Sequence, residues 1–292
     1  MYEPSAALVA DMRSKLIDVD LTLSILRDCN DGLYDGIEPV KATGVPPIDG
    51  RDVISLESAR EAVLEVDGRE ARERLGALGL EAPASAFEGA SGRLAFGRKA
   101  LEEIGLRLLG RTAFGVLNGG SATSYADSKK NRALGDAVFE ALAPSYDSLA
   151  PLCKDRPKGL TPAYLEPDGS PGASFLLLKM RARLAAALEA KRRGERVDDS
   201  FMPLFQMTSV GNDAEIAAAY DEYRSHPFLS ALAREAGIDG TRWATGAQPM
   251  IAAYTHSSEG RPKRIFDRAR GESDSALALP GGHGQCFRVL AP

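Results

Sequence analysis

The chain has few of the residues that build the commonest cross-linked or metal-bound frameworks. Its three cysteines, Cys29, Cys153 and Cys286, are odd in number and far apart. That pattern excludes a disulfide framework and any cysteine spacing of a zinc site, so free thiols are expected. The three histidines, His226, His256 and His283, are too dispersed to suggest a zinc centre. No run of 18 apolar residues occurs, so no membrane span is expected. Met1 to Ala10 lacks the basic start and apolar stretch of a signal peptide, and a cytoplasmic protein is expected. An excess of positive charge is also missing: 36 Lys and Arg stand against 41 Asp and Glu, a net charge of −5. That argues against a nucleic-acid partner. No G-x-G-x-x-G follows a strand pattern and no Gly-Lys-Ser/Thr loop is present, which disfavours a dehydrogenase and a Walker-type NTPase. No nucleophile elbow supports Ser/His/Asp hydrolysis.

What is present fits a globular α/β chain. Its 292 residues are 44% apolar, enough for one large domain or one domain with a smaller piece. Helical spacing recurs over residues 5–28, in two short patterns within 56–79, and over Lys99 to Leu109. Phe175–Lys191 is the strongest helix. Phe175, Leu176, Met180, Leu184 and Leu188 share one face, and Arg181, Arg183, Glu189 and Lys191 are expected to keep the other wet. Ala214–Tyr223 and Phe228–Gly237 read as helices, and a short one is expected to begin near Phe287. Thr112–Leu117 and Phe201–Thr208 are short apolar runs that suit buried parallel strands, and Trp243–Tyr254 holds a third strand region. Residues 124–156 show no convincing period and read as an insertion or lid. Strands alternating with helices predict a mostly parallel sheet. The expected division is a helical region over 1–110 and an α/β nucleotide-binding part over 111–292.

Five segments could carry chemistry. Leu117-Asn118-Gly119-Gly120-Ser121-Ala122-Thr123 follows a strand, and its glycines let backbone N–H groups approach a phosphate or base, with Thr123 adding a hydroxyl. Lys158, between Pro157 and Gly159, sits on a stiff turn that suits a cation aimed at a phosphate. Met207-Thr208-Ser209 closes a strand at the end where open α/β sheets bind ligands. Gln248 offers the donor and acceptor that a uracil edge needs. Pro280-Gly281-Gly282-His283-Gly284 is a glycine loop around one histidine able to donate to a phosphate or a sugar hydroxyl. Taken singly, each segment also reads as an ordinary turn, core or cap.

The order of these blocks over residues 112–292 resembles the eukaryotic-type UDP-sugar pyrophosphorylases. The resemblance implies a Rossmann-like nucleotidyltransferase (GT-A-like) fold and the reaction of UTP with a sugar 1-phosphate, giving a UDP-sugar and pyrophosphate, with Mg²⁺. It implies that Gly119, Gly120, Thr123 and Met207 hold the nucleotide and that Lys158 neutralises the triphosphate as the catalytic cation. Gln248 and Gly282 would read the uracil, and His283 would meet the phosphate or the sugar. The Gly-His-Gly form leans toward the UDP-glucose branch. Where the family loop reads Gly-Gly-x-Gly-Thr-Arg, this chain has Ala122 and Ser124 at the third glycine and the arginine. Lys129, Lys130 or Lys154 could supply the missing charge. The family's metal-binding aspartate, its sugar-binding half and a later lysine are expected beyond Pro292, so the resemblance implies an incomplete catalytic domain, inactive alone, with an open sheet edge that favours self-association. A non-catalytic nucleotide-binding protein and an ATP- or GTP-using enzyme are the alternatives.

Overall fold

A computed structural model describes residues 3–37, 44, 63–121, 132–133, 135–240, 242–255, 263–265 and 275–290. The helical pattern over 5–28 is two helices, α1 (Ala6–Ser14) and α2 (Val19–Asn30). Leu16 between them takes a left-handed φ of +59°, and the Asp18 carboxylate caps α2 by accepting from the Leu21 N–H at 2.9 Å.

The next elements are β1 (Leu64–Asp67), α3 (Gly68–Ala77), β2 (Phe87–Glu88), β3 (Arg93–Phe96) and α4 (Arg98–Leu109). The strands form an antiparallel sheet in the order β1-β3-β2. The region over 1–110, expected to be helical, thus also holds a small three-stranded sheet. Leu64 and Val66 are half-buried while Glu65 and Asp67 are exposed, the period of two of a strand.

The rest of the chain runs β4 (Phe114–Leu117), α5 (Asp136–Cys153), α6 (Phe175–Arg192), β5 (Leu204–Ser209), α7 (Asp213–Ser225), α8 (Pro227–Ala236), β6 (Trp243–Gln248), β7 (Met250–Ala252), β8 (Ala278–Pro280) and α9 (Gln285–Leu290). Strands β4, β5 and β6 form a parallel sheet in that order, with Leu117 opposite Met207 and Ser209 opposite Gln248. This gives the expected mixed α/β architecture, a three-stranded parallel sheet flanked by helices. Residues 136–153, within the stretch read as lacking a period, are the helix α5. Pro144 and Pro151 interrupt its pattern, and Val138 and Leu142 stay exposed, so no single apolar stripe marks it.

The main core lies between the sheet and α6, α7 and α8. Leu176, Met180, Leu184 and Leu188 of α6 are buried with Leu204, Ile216, Tyr220 and Leu229. Each such side chain contributes about 2 kcal/mol on burial. Tyr220 stacks on Trp243 with centroids 4.9 Å apart. A second core joins the two ends of the described chain: Leu8, Met12, Ile17 and Leu26 pack with Ala252 and Ala276 beside β7 and β8. The Asp18 N–H donates to the Met250 carbonyl at 2.8 Å, and the Tyr254 hydroxyl donates to the Thr22 carbonyl at 2.8 Å. Burial pushes the Tyr254 phenol up to about 12. Among the described residues no helix is long and apolar enough to cross a membrane.

Arg183 departs from the sequence expectation of a wet face. It is 1% exposed, and its guanidinium donates to the carbonyls of Met202 at 2.7 Å, Gly240 at 3.2 Å and Phe201 at 3.3 Å. It thereby ties α6 to the segments that enter β5 and β6. Burial lowers its pKa from the usual arginine value. An Arg183→Met replacement strips three carbonyls of their donor, and a loss of about 3 kcal/mol is expected in urea unfolding. The exposed Arg193→Met should cost under about 0.5 kcal/mol.

Candidate functional site

The site is built at the carboxyl ends of β4, β5 and β6, where loops follow parallel strands. Asn118 is its joint. Its N–H extends the ladder to the Met207 carbonyl at 2.7 Å, and its own carbonyl accepts from Asn212 Nδ2 at 2.9 Å. Its side chain is buried: Oδ1 accepts from the Gly159 N–H at 3.0 Å, and Nδ2 faces Gln206 Oε1 at 3.4 Å. The turn at 158–159 is thus held against the strand end. A Cβ on Gly159 would stand 2.5 Å from Asn118 Oδ1, which explains glycine there. The Lys158 N–H donates to the Gly120 carbonyl at 3.0 Å, and Ser121 bridges Pro157.

Gln248 organises the opposite wall. It is 4% exposed, and with its amide oxygen turned to the loop it accepts from the Gly281 N–H at 3.1 Å and the Gly282 N–H at 2.8 Å. The same amide presses on Gly119, where an added Cβ would lie 2.7 Å from it and 3.1 Å from the Thr208 carbonyl. Beneath, the Asp213 carboxylate accepts from the hydroxyls of Thr208 at 2.6 Å and Thr245 at 3.1 Å.

Between these walls lies a cleft of about 660 Å³. Gly119, Gly120, Gln248, Gly282 and His283 line it together, although they come from three separate parts of the sequence. Lys158 does not line it. It lines a smaller crevice of about 220 Å³ together with Asn118 and Lys179. Met207 is fully buried in the core and reaches the site only through its backbone. Thr123 lies outside the described residues, as do Ala122, Ser124, Lys129 and Lys130.

Sequence reading missed two cations of the cleft, Arg156 and Lys15. Arg156 is exposed and has no ion-pair partner among the described residues, and its place beside Pro157-Lys158-Gly159 was the available signal. Lys15 is already engaged. Its ammonium donates to Asp11 at 2.7 Å, Ser275 Oγ at 3.0 Å and the Ala276 carbonyl at 2.8 Å. That hydrogen bond holds the Asp11 carboxyl below its ordinary pKa, against the opposing effect of burial, with help from the Ala276 N–H. Nothing local in the sequence announces a contact between residues 15 and 276.

Comparison with known proteins gives a likeness at the level of solved structures. No protein-family model and no curated protein matches the chain. Among solved structures it is similar to the uridine diphosphate N-acetylglucosamine pyrophosphorylase from Trypanosoma brucei, solved in complex with an inhibitor. The TM-score is 0.47 and the identity 20%, over 98% of this chain and 40% of that chain. The chain thus spans two-fifths of that protein's length. A similarity of this order assigns no residue its role.

The cleft contains the carboxylates of Asp155 and Glu215, but among the described residues no three His, Cys, Asp or Glu side chains converge. The expected Mg²⁺ therefore has no protein-built cage within them. Magnesium bound mainly by substrate phosphates needs only one or two carboxylates.

Removing the joint is the sharpest test of this geometry. Asn118→Ala is expected to cost about 2 kcal/mol in denaturant unfolding. Amide exchange at Gly159 should accelerate well beyond that of the α6 core, which NMR would read directly.

Proposed function

We propose that the cleft binds UTP and that the chain is the nucleotide-binding part of a UTP-dependent sugar-1-phosphate uridylyltransferase, of the UDP-glucose branch. One observation carries the reading: Gly119, Gly120, Gln248, Gly282 and His283, drawn from separate motif blocks, meet in one cleft at the carboxyl ends of a parallel sheet. Its volume of about 660 Å³ is within the range of small-molecule sites.

The chemistry asks for positioning and charge neutralisation. A phosphate oxygen of the sugar 1-phosphate bonds to the α-phosphorus of UTP, and the bond to the pyrophosphate oxygen breaks. Little covalent chemistry falls to the protein. The backbone at Gly119 and Gly120, with the Thr123 hydroxyl, holds phosphate oxygens. Arg156 supplies charge within the cleft, and Lys158 supplies it from the adjoining turn. Uracil exchanges for the bond between Gln248 and the 281–282 loop, taking the freed amide and the Gly282 N–H along its edge. His283 donates to a phosphate or sugar hydroxyl. Met207 acts indirectly, by anchoring Asn118. With Asp155 and Glu215 in the cleft lining, a magnesium ion would be held mainly by the triphosphate and would offset its charge.

A second reading, a nucleotide-binding protein without turnover, is favoured by the position of Lys158, which lines a separate crevice and not the cleft. Calorimetry with Mg²⁺ and UTP, ATP or GTP separates the cases, together with a pyrophosphate-release assay on glucose 1-phosphate. UTP should bind at least about tenfold tighter than ATP or GTP, and Arg156→Ala should weaken it by about tenfold. Selective binding without release selects the second reading. A folded chain that ignores UTP, or prefers ATP or GTP, contradicts the uridylyl assignment.

A further inference from the structure

A second cavity, of about 630 Å³, shares no lining residue with the cleft. One wall is the excursion at 162–174, closed by bridges between Pro162 and Ser174 and between Leu165 and Pro171. It holds Tyr164 over the cavity, packed so closely on Gly172 that a Cβ there would run into the ring. The other walls come from α6 and from the junction of α7 with α8.

Its polar groups are few and differ in kind. Arg181 has no ion-pair partner among the described residues, and its guanidinium is held 5.3 Å from the centroid of the Phe228 ring. An arginine steadied on an aromatic face retains its fork of donors for an oxyanion. Deeper in, the buried Tyr223 hydroxyl and Ser174 Oγ are 2.6 Å apart, a pair that can give or take one further hydrogen bond. At the wall, His226 Nδ1 is shut from solvent and has no partner. An unsatisfied buried nitrogen costs stability that a bound polar group, with a turn of the ring, would recover. Glu166 lines the same cavity and disfavours a second negative charge on any occupant.

The geometry points to a second binding site, for a small planar aromatic molecule carrying one oxyanion and a distal hydroxyl, of which an aromatic monocarboxylate is the best fit. The carboxylate pairs with Arg181. The ring lies between Tyr164 and Phe228, and the hydroxyl meets the Ser174–Tyr223 pair. Aromatic walls with a few placed polar groups are the composition of a ligand pocket. This site stands independently of the UTP reading.

Amide correlation spectra of the full chain, titrated with 4-hydroxybenzoate and separately with UMP, test it. Expected are saturable shifts at Tyr164, Gly172 and Phe228, with Gly119, Gly120 and Gly282 unmoved by the carboxylate. Arg181→Gln, an exposed position whose spectrum also reports folding, should weaken that response by about tenfold or more. Stronger shifts with UMP at those amides, lost in Arg181→Gln, would contradict the monocarboxylate assignment, because the UMP phosphate carries about two negative charges at neutral pH. No saturable shift with either probe up to roughly 10 mM, or an unchanged response in folded Arg181→Gln, overturns it.

Discussion

The buried side chain and backbone of Asn118 tie three connections to one strand end. β4 meets β5 through its N–H, the 209–212 turn is held through its carbonyl, and the 158–159 turn is held through its Oδ1. Each group would be costly to leave unpaired in a buried setting, so each loop is fixed by what Asn118 needs. The cleft exists because these loops are held apart from the 281–284 loop, which Gln248 secures on the other side. The tight contacts at Gly119 and Gly159 follow from the same crowding.

The opposite ends of the strands have their own clamp. Arg183 gathers the carbonyls of Phe201, Met202 and Gly240, and so fixes where β5 and β6 begin. Met202 holds a left-handed φ of +47° within that clamp, backbone strain that the three hydrogen bonds help to offset. A sheet set at both ends is a rigid frame for loops that must position a ligand. The packing of α1 and α2 on β7 and β8 extends the frame to the chain's first elements, and Lys15 brings that layer to the cleft edge.

Much of the fold was legible in sequence for a simple reason: it is periodic or punctuated. Helix α6 shows its apolar face, α8 stops before a left-handed Gly237, and β5 is an apolar run because both its faces are covered. What was hidden depends on partners far along the chain. Arg183 looks like a surface charge until the carbonyls of 201, 202 and 240 are placed around it. Helix α5 carries prolines and an exposed apolar side, so its pattern is blurred. Strands β1 to β3 are too short to outweigh neighbouring helical patterns.

The site divides in the same way. Glycine-rich loops after strands are visible from spacing, and Gly119, Gly120, Gly282 and His283 do come together with Gln248. Side-chain direction is not visible from spacing, which is why Lys158 and Met207 belong to other surroundings and why Arg156 was passed over. Hydrogen exchange of the chain with and without Mg²⁺ and UTP tests the central claim most directly. The account predicts joint slowing of exchange in the segments around 118–121, 209–212 and 281–284, with 162–173 unchanged. Slowing confined to other segments, or none at saturating UTP, would contradict it.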